Sequence, residues 1–147
     1  MSRFSSATIL PEEWATLSPH FSPGEFVHPE LMGREFIVWL NQVRAAAGVP
    51  MHITSSARTL EHNAQVGGAK DSAHTDPICN AVDIGKAPTD DDPNWNLARW
   101  QIVKAAIDHG CTRIGIYPNG SLHLDRTEDV RPSPRLWIAV DNPASPV

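Results

Sequence analysis

The sequence predicts an α+β domain in which flanking helices pack on a small, mainly antiparallel sheet. Three observations point there. Residues 30–47 and 95–110 read as two long helices; short strand-like runs alternate with the helical stretches; and the last two runs are separated by Pro118-Asn119-Gly120, a hairpin signal. The order is α, β, α, β, α, β, β, with no internal repeat and no low-complexity block.

Taken in order, residues 1–29 are rich in Pro, Ser and Thr and predict an irregular arm that wraps the domain. From Glu30 to Ala47, Leu31, Phe36, Val38, Leu40, Val43 and Ala47 keep an approximately helical period, and Gly48-Val49-Pro50 supplies the stop. Met51 to Thr54 is a short strand. Thr59 opens a short helix that Gly67-Gly68 ends. "AVDIG" (81–85) is the second strand, and "APTDDDPN", with Asp90, Asp91 and Asp92, is a polar loop. The helix over 95–110 stops at Gly110, "RIGIY" and "SLHLD" form the hairpin, and the Pro-rich tail from Arg126 onward predicts loop.

With 147 residues, 41% hydrophobic and 20% charged, the chain is long enough for one sizeable core and too short for two. A formal net charge of -5 and 12 scattered basic residues argue against a nucleic-acid surface, which needs clustered Lys and Arg. Apolar runs such as "FIVWL" (36–40) fall far short of the roughly 20 residues of a membrane span. The first residues lack the continuous apolar segment of a secretory signal. Cys79 and Cys111 lack the C-x-x-C spacing of a zinc or redox pair and read as reduced apolar residues, with a disulfide left open should their segments meet.

His74, Asp83 and His123 sit on or beside strands that would be neighbours in such a sheet. Two imidazoles and a carboxylate suit Zn²⁺ and leave a fourth position for water, whereas a structural zinc site closes all four positions with protein ligands, usually including Cys. Strand alternation in "SLHLD" puts Ser121, His123 and Asp125 on one face and Leu122 and Leu124 on the other. Singly, each residue has a plainer reading. His20, His28, His52 and His109 are assigned to surface or hydrogen-bonded roles, Arg58 fits a solvated helix entry, and His62 and Asn63 fit an ordinary exposed helix face.

The series "FSPGEF", "ITSSARTLEHNAQVGGAKDSAH", "AVDIG", "RIGIYPNGSLHLD" and "RPSPRLW" resembles the M15 zinc peptidases, specifically the D-alanyl-D-alanine carboxypeptidase-like branch found in bacteriophages and bacteria. The resemblance spans about residues 20–137 and divides the chain into an arm (1–19), the peptidase domain (20–137) and a tail (138–147). It implies the fold shared with the Hedgehog amino-terminal signalling domain and cleavage of peptidoglycan stem or cross-link peptides. It further implies one zinc ion on His74, Asp83 and His123, a substrate carboxylate gripped by Arg58, and a substrate contact from Ser72. The expected setting is a phage endolysin in the host cytoplasm before lysis, or a virion-associated enzyme with virion or tail proteins as partners. The alternative is a zinc-binding structural module of the same fold with little or no turnover.

Two departures from the family pattern stand out. His74 and Asp83 are nine positions apart, wider than usual, with Cys79 where a turn glycine is expected. The acid three residues before the last histidine is replaced by Gly120. Asp125, on the strand face of His123, is therefore the candidate general base, ahead of Glu128 and Asp129.

Overall fold

The structure, a computed structural model, describes residues 3–67, 71–88 and 91–139. Helices α1 (Trp14–Leu17), α2 (Arg34–Ala47), α3 (Leu60–Gln65) and α4 (Asp92–Asp108) accompany strands β1 (His52–Ser55), β2 (Ala81–Gly85), β3 (Arg113–Ile116), β4 (Leu122–Asp125) and β5 (Arg135–Ile138). The α+β architecture is as the sequence predicts. No helix among the described residues is long and apolar enough to cross a membrane.

Local chemistry sets the element ends. Helix α2 stops where Gly48 takes a left-handed φ of 68° and its N–H donates to the Arg44 carbonyl. Thr59 caps α3 by accepting from the His62 N–H at 3.1 Å. Helix α4 begins three residues before the expected Trp95, because Asp91 accepts from the Asn94 N–H at 2.8 Å and Pro93 suits the first turn. Gly68, expected in the α3 stop, and Asp90, expected in the polar loop, lie outside the described residues.

The sheet has the order β1-β2-β4-β3-β5, antiparallel throughout except for the β3–β5 pair, which is parallel. Strand β5 corrects the reading of the tail as loop. Its four residues hydrogen-bond along an existing edge, and that pairing partner is invisible to a local pattern.

Alternation splits the sheet into two faces. Val82, Ile84, Ile114, Leu122 and Leu124 enter one buried cluster with Phe36, Trp39 and Leu40 of α2 and Ile102 of α4. The arm belongs to this core too, through Phe4, Ile9, Trp14, Phe21 and Phe26. The opposite face carries the polar and ionisable residues of the central strands.

Candidate metal centre

Register builds the site. Ser55 pairs with Asp83, Asp83 with His123, His123 with Gly115 and Gly115 with Trp137, so one transverse row crosses all five strands. Asp83 and His123 are nearest neighbours at its centre. The third residue, His74, comes from the 3-10 turn Ala73–Thr75, which Ser72 caps by accepting from the His74 N–H at 3.2 Å.

His74, Asp83 and His123 are all buried, and each offers a ligand atom within 4.8 Å of the others. Asp83 Oδ1 is the point of convergence, 3.3 Å from His74 Nε2 and 3.1 Å from His123 Nδ1. The outer ring nitrogens are fixed. His74 Nδ1 lies 2.7 Å from the Ser56 carbonyl, an acceptor only, so it carries the proton and leaves the Nε2 lone pair facing the centre. His123 Nε2 lies 2.7 Å from Asp125 Oδ2, which likewise turns Nδ1 inward.

Such a donor set fits a borderline cation: two imidazole nitrogens and one carboxylate oxygen, with tautomers set by their neighbours. Without a cation, proton charge gathers here. Burial alone would raise the Asp83 pKa, but the two histidines outweigh it and hold the carboxyl well below its usual range. Burial would likewise lower His123, yet hydrogen bonds to Asp125 and Asp83 lift it to about 9.

Asp125 is fully buried and both of its oxygens are engaged. Oδ1 accepts from Arg113 Nε at 2.8 Å, from the Thr127 N–H at 3.1 Å and from Thr127 Oγ1 at 2.7 Å, while Oδ2 faces His123. The carboxylate therefore sits behind the histidine, on the ring edge away from Asp83. Glu128 is ion-paired with Arg126 at 2.7 Å. Gly120 holds a φ of 89°, and its carbonyl accepts from Trp95 Nε1 and Arg99 at 3.2 Å each. An acidic side chain there would meet left-handed strain and would point its Cβ to within 3.2 Å of Arg99. The hairpin turn thus has a backbone conformation at this position that favours glycine.

Arg58 sits beside the His74 turn, its backbone N–H donating to the His74 carbonyl at 2.7 Å. Its guanidinium donates to Asn63 Oδ1 at 2.9 Å and to Ser55 Oγ at 3.1 Å, and Ser55 is the row neighbour of Asp83. The wider His74–Asp83 connection is held in place rather than free. Cys79 exchanges backbone hydrogen bonds with Leu31 and Gly33, and Arg131 grips Asp76 through two nitrogens at 2.8 and 3.0 Å. Cys79 and Cys111 are both free and buried, which answers the disulfide question left open by the sequence.

Three residues here escape sequence reasoning. Arg113 balances Asp125 from the next strand. The Tyr117 hydroxyl lies 3.1 Å from each oxygen of Asp83. Trp137 of β5 brings its ring centroid to 5.4 Å from that of His123, with the Arg113 and Arg135 guanidiniums each 5.0 Å from its ring. All three stand in stretches quoted for the resemblance without a role of their own, and the glycine of "RIGIY" adds a local signal, since a glycine at a site-facing strand position marks close approach by another group.

A family model described as Peptidase M15 matches residues 12–125. The chain belongs to the Peptidase M15 family. M15 peptidases are zinc-dependent, and the buried His74, Asp83 and His123 form a group able to hold a metal ion. The M15 match ends at the last residue of β4, so β5 and Trp137 lie beyond it. Comparison with curated proteins found no match.

Proposed function

We propose that this chain is a zinc-dependent peptidase of the D-alanyl-D-alanine carboxypeptidase-like M15 branch, cleaving stem or cross-link peptides of peptidoglycan as a D,D-carboxypeptidase or endopeptidase. Its setting is phage lysis or infection: an endolysin held in the host cytoplasm until lysis, or a virion-associated hydrolase contacting virion or tail proteins. The observation that carries the reading is the convergence of His74 Nε2, Asp83 Oδ1 and His123 Nδ1, with both outer ring nitrogens tied, in a chain of the M15 family.

His74, Asp83 and His123 would hold one zinc ion. When bound, zinc supplies a water acidified toward neutrality and a Lewis acid for the scissile carbonyl. The protein's own groups do the rest. Arg58, braced by Asn63 and Ser55, presents the forked cation that suits a substrate carboxylate, and free D-Ala or D-Glu carboxylates near the cut in cell-wall peptides provide one. Ser72 fixes the His74 turn and in this reading supplies a substrate contact. Asp125, the candidate base from its place on the strand face of His123, serves in this reading as the residue that orients His123 and keeps its Nε2 protonated, because it is fully buried with Oδ2 against that nitrogen.

The test is metal analysis with digestion of purified muropeptides followed by mass spectrometry. One zinc per chain and new peptide products are expected, and the product masses identify the bond. Zinc content should collapse in His74→Ala and in His123→Ala; unchanged stoichiometric zinc in both would refute the ligand set. A second reading, a zinc-bearing structural or virion module without turnover, is favoured by one observation. The turn places Gly120 where an acid would stand, and Asp125 is fully engaged. Bound zinc with no product from any muropeptide would select that reading.

A further inference from the structure

Tyr117 follows β3 immediately and has the strand parity of Arg113 and Gly115, so its side chain rises on the site face of the sheet. Its backbone is anchored by the hairpin: its N–H donates to the Ser121 carbonyl and its carbonyl accepts from the Gly120 N–H, both at 2.9 Å. From there the phenol reaches over β4 to Asp83 on β2. Two strand spacings are about 10 Å, a gap that a tyrosine and an aspartate together span and shorter pairs do not. The hydroxyl ends 3.1 Å from Asp83 Oδ1 and 3.1 Å from Oδ2.

The two oxygens of Asp83 differ in their surroundings. Both inward-facing histidine nitrogens converge on Oδ1. A cation held by His74 Nε2, Asp83 Oδ1 and His123 Nδ1 would have three protein ligand atoms, one fewer than the four that close a structural zinc site. Were Oδ2 also to bind, the protein would supply four ligand atoms and a bound water would make a fifth. The phenol carries a single proton and lies equally close to both oxygens; with Oδ1 facing the two histidine nitrogens, Oδ2 is the oxygen left to accept it, and turning Oδ2 toward the centre would cost that hydrogen bond.

We propose that Tyr117 is a positioning residue of the metal centre: its phenol O–H holds the Asp83 carboxylate so that Asp83 would bind the metal through a single oxygen, and the protein would supply three ligand atoms rather than four. The inference rests on the zinc reading above. It concerns how open the site is, which neither the ligand set nor the family membership decides.

Tyr117→Phe removes the hydroxyl and keeps the ring, so the far-ultraviolet circular dichroism of the metal-free chain should match wild type. Cobalt substitution reads the coordination number directly, since d–d absorption weakens as four-coordinate cobalt becomes five-coordinate. The variant is expected to show clearly weaker d–d bands than wild type, and zinc affinity measured by chelator competition should fall about 10- to 100-fold, the range for lost outer-shell hydrogen bonds. If wild type binds one metal ion and Tyr117→Phe shows the same cobalt spectrum and the same zinc affinity, the role of Tyr117 is overturned while the zinc reading stands. If wild type binds no metal at all, the zinc reading itself fails and this inference falls with it.

Discussion

His123 is held between two carboxylates, Asp83 on Nδ1 at 3.1 Å and Asp125 on Nε2 at 2.7 Å. Burial pushes its pKa down, but the two hydrogen bonds prevail and raise it from 6.5 to about 9. A histidine whose folded pKa lies above its unfolded one adds stability that is complete below the unfolded value and is lost as pH rises through the folded value. Asp83 and Asp125, both depressed from 3.8, act in the opposite sense: their contribution is present above that value and is lost as pH falls below it. The metal-free protein should therefore be most stable between about pH 4 and 6.5 and lose thermal stability as pH rises toward 9. Melting curves in the presence of chelator check this. A midpoint unchanged from pH 6.5 to 9 would contradict a protonated His123 held between Asp83 and Asp125.

At the scale of elements, the site depends on a strand that contributes no candidate ligand. Strand β5 carries Trp137 against the face of β3, and the missing side chain of Gly115 gives the indole room to reach His123. A Cβ at Gly115 would come within 2.8 Å of Trp137 Cε2. Gly115→Ala should therefore destabilise the fold by about 1–3 kcal/mol, the usual cost of overpacking a buried contact, and loosen the indole from the histidine. Urea unfolding of Gly115→Ala, Trp137→Leu and the double variant measures the coupling. The glycine substitution should cost markedly less once the indole is gone, and simple additivity would show that the clash is not with Trp137.

Across the whole molecule, the long-range ties meet at the chain's two ends. The N-terminal arm fills the core beneath the sheet, and Asn80 donates to the Phe4 carbonyl at 2.7 Å. The Arg126 guanidinium lies 4.4 Å from the Phe4 ring and 5.0 Å from that of Trp39, while Arg131 secures the connection that carries His74 toward Asp83. The two cysteines report on this closure. Burial pushes the Cys79 thiol up to about 12 and that of Cys111 up to about 11, so neither forms the reactive thiolate near neutrality. A thiol reagent at pH 8 should label neither cysteine in the native protein and both in denaturant. Rapid stoichiometric labelling of the folded chain would show that this packing opens readily.

Much of this was legible without a fold. Helical period and stop residues located α2, the strand runs located β1 to β4, and the ordered motif series singled out His74, Asp83 and His123, which the structure brings together. Local sequence records periodicity, capping and residue type, and those set where elements lie and which chemistry they can carry. It does not record register or edge pairing. Whether Asp125 faces water or the back of His123 depends on Arg113 and Thr127. Whether the tail is loop or strand depends on a free edge of β3. That Tyr117 touches Asp83 depends on the strand order β2-β4-β3. Periodicity and residue type thus set the fold class and singled out His74, Asp83 and His123 as candidate donors; the surroundings that orient and enclose them emerge with the fold, because they come from residues far apart in the chain.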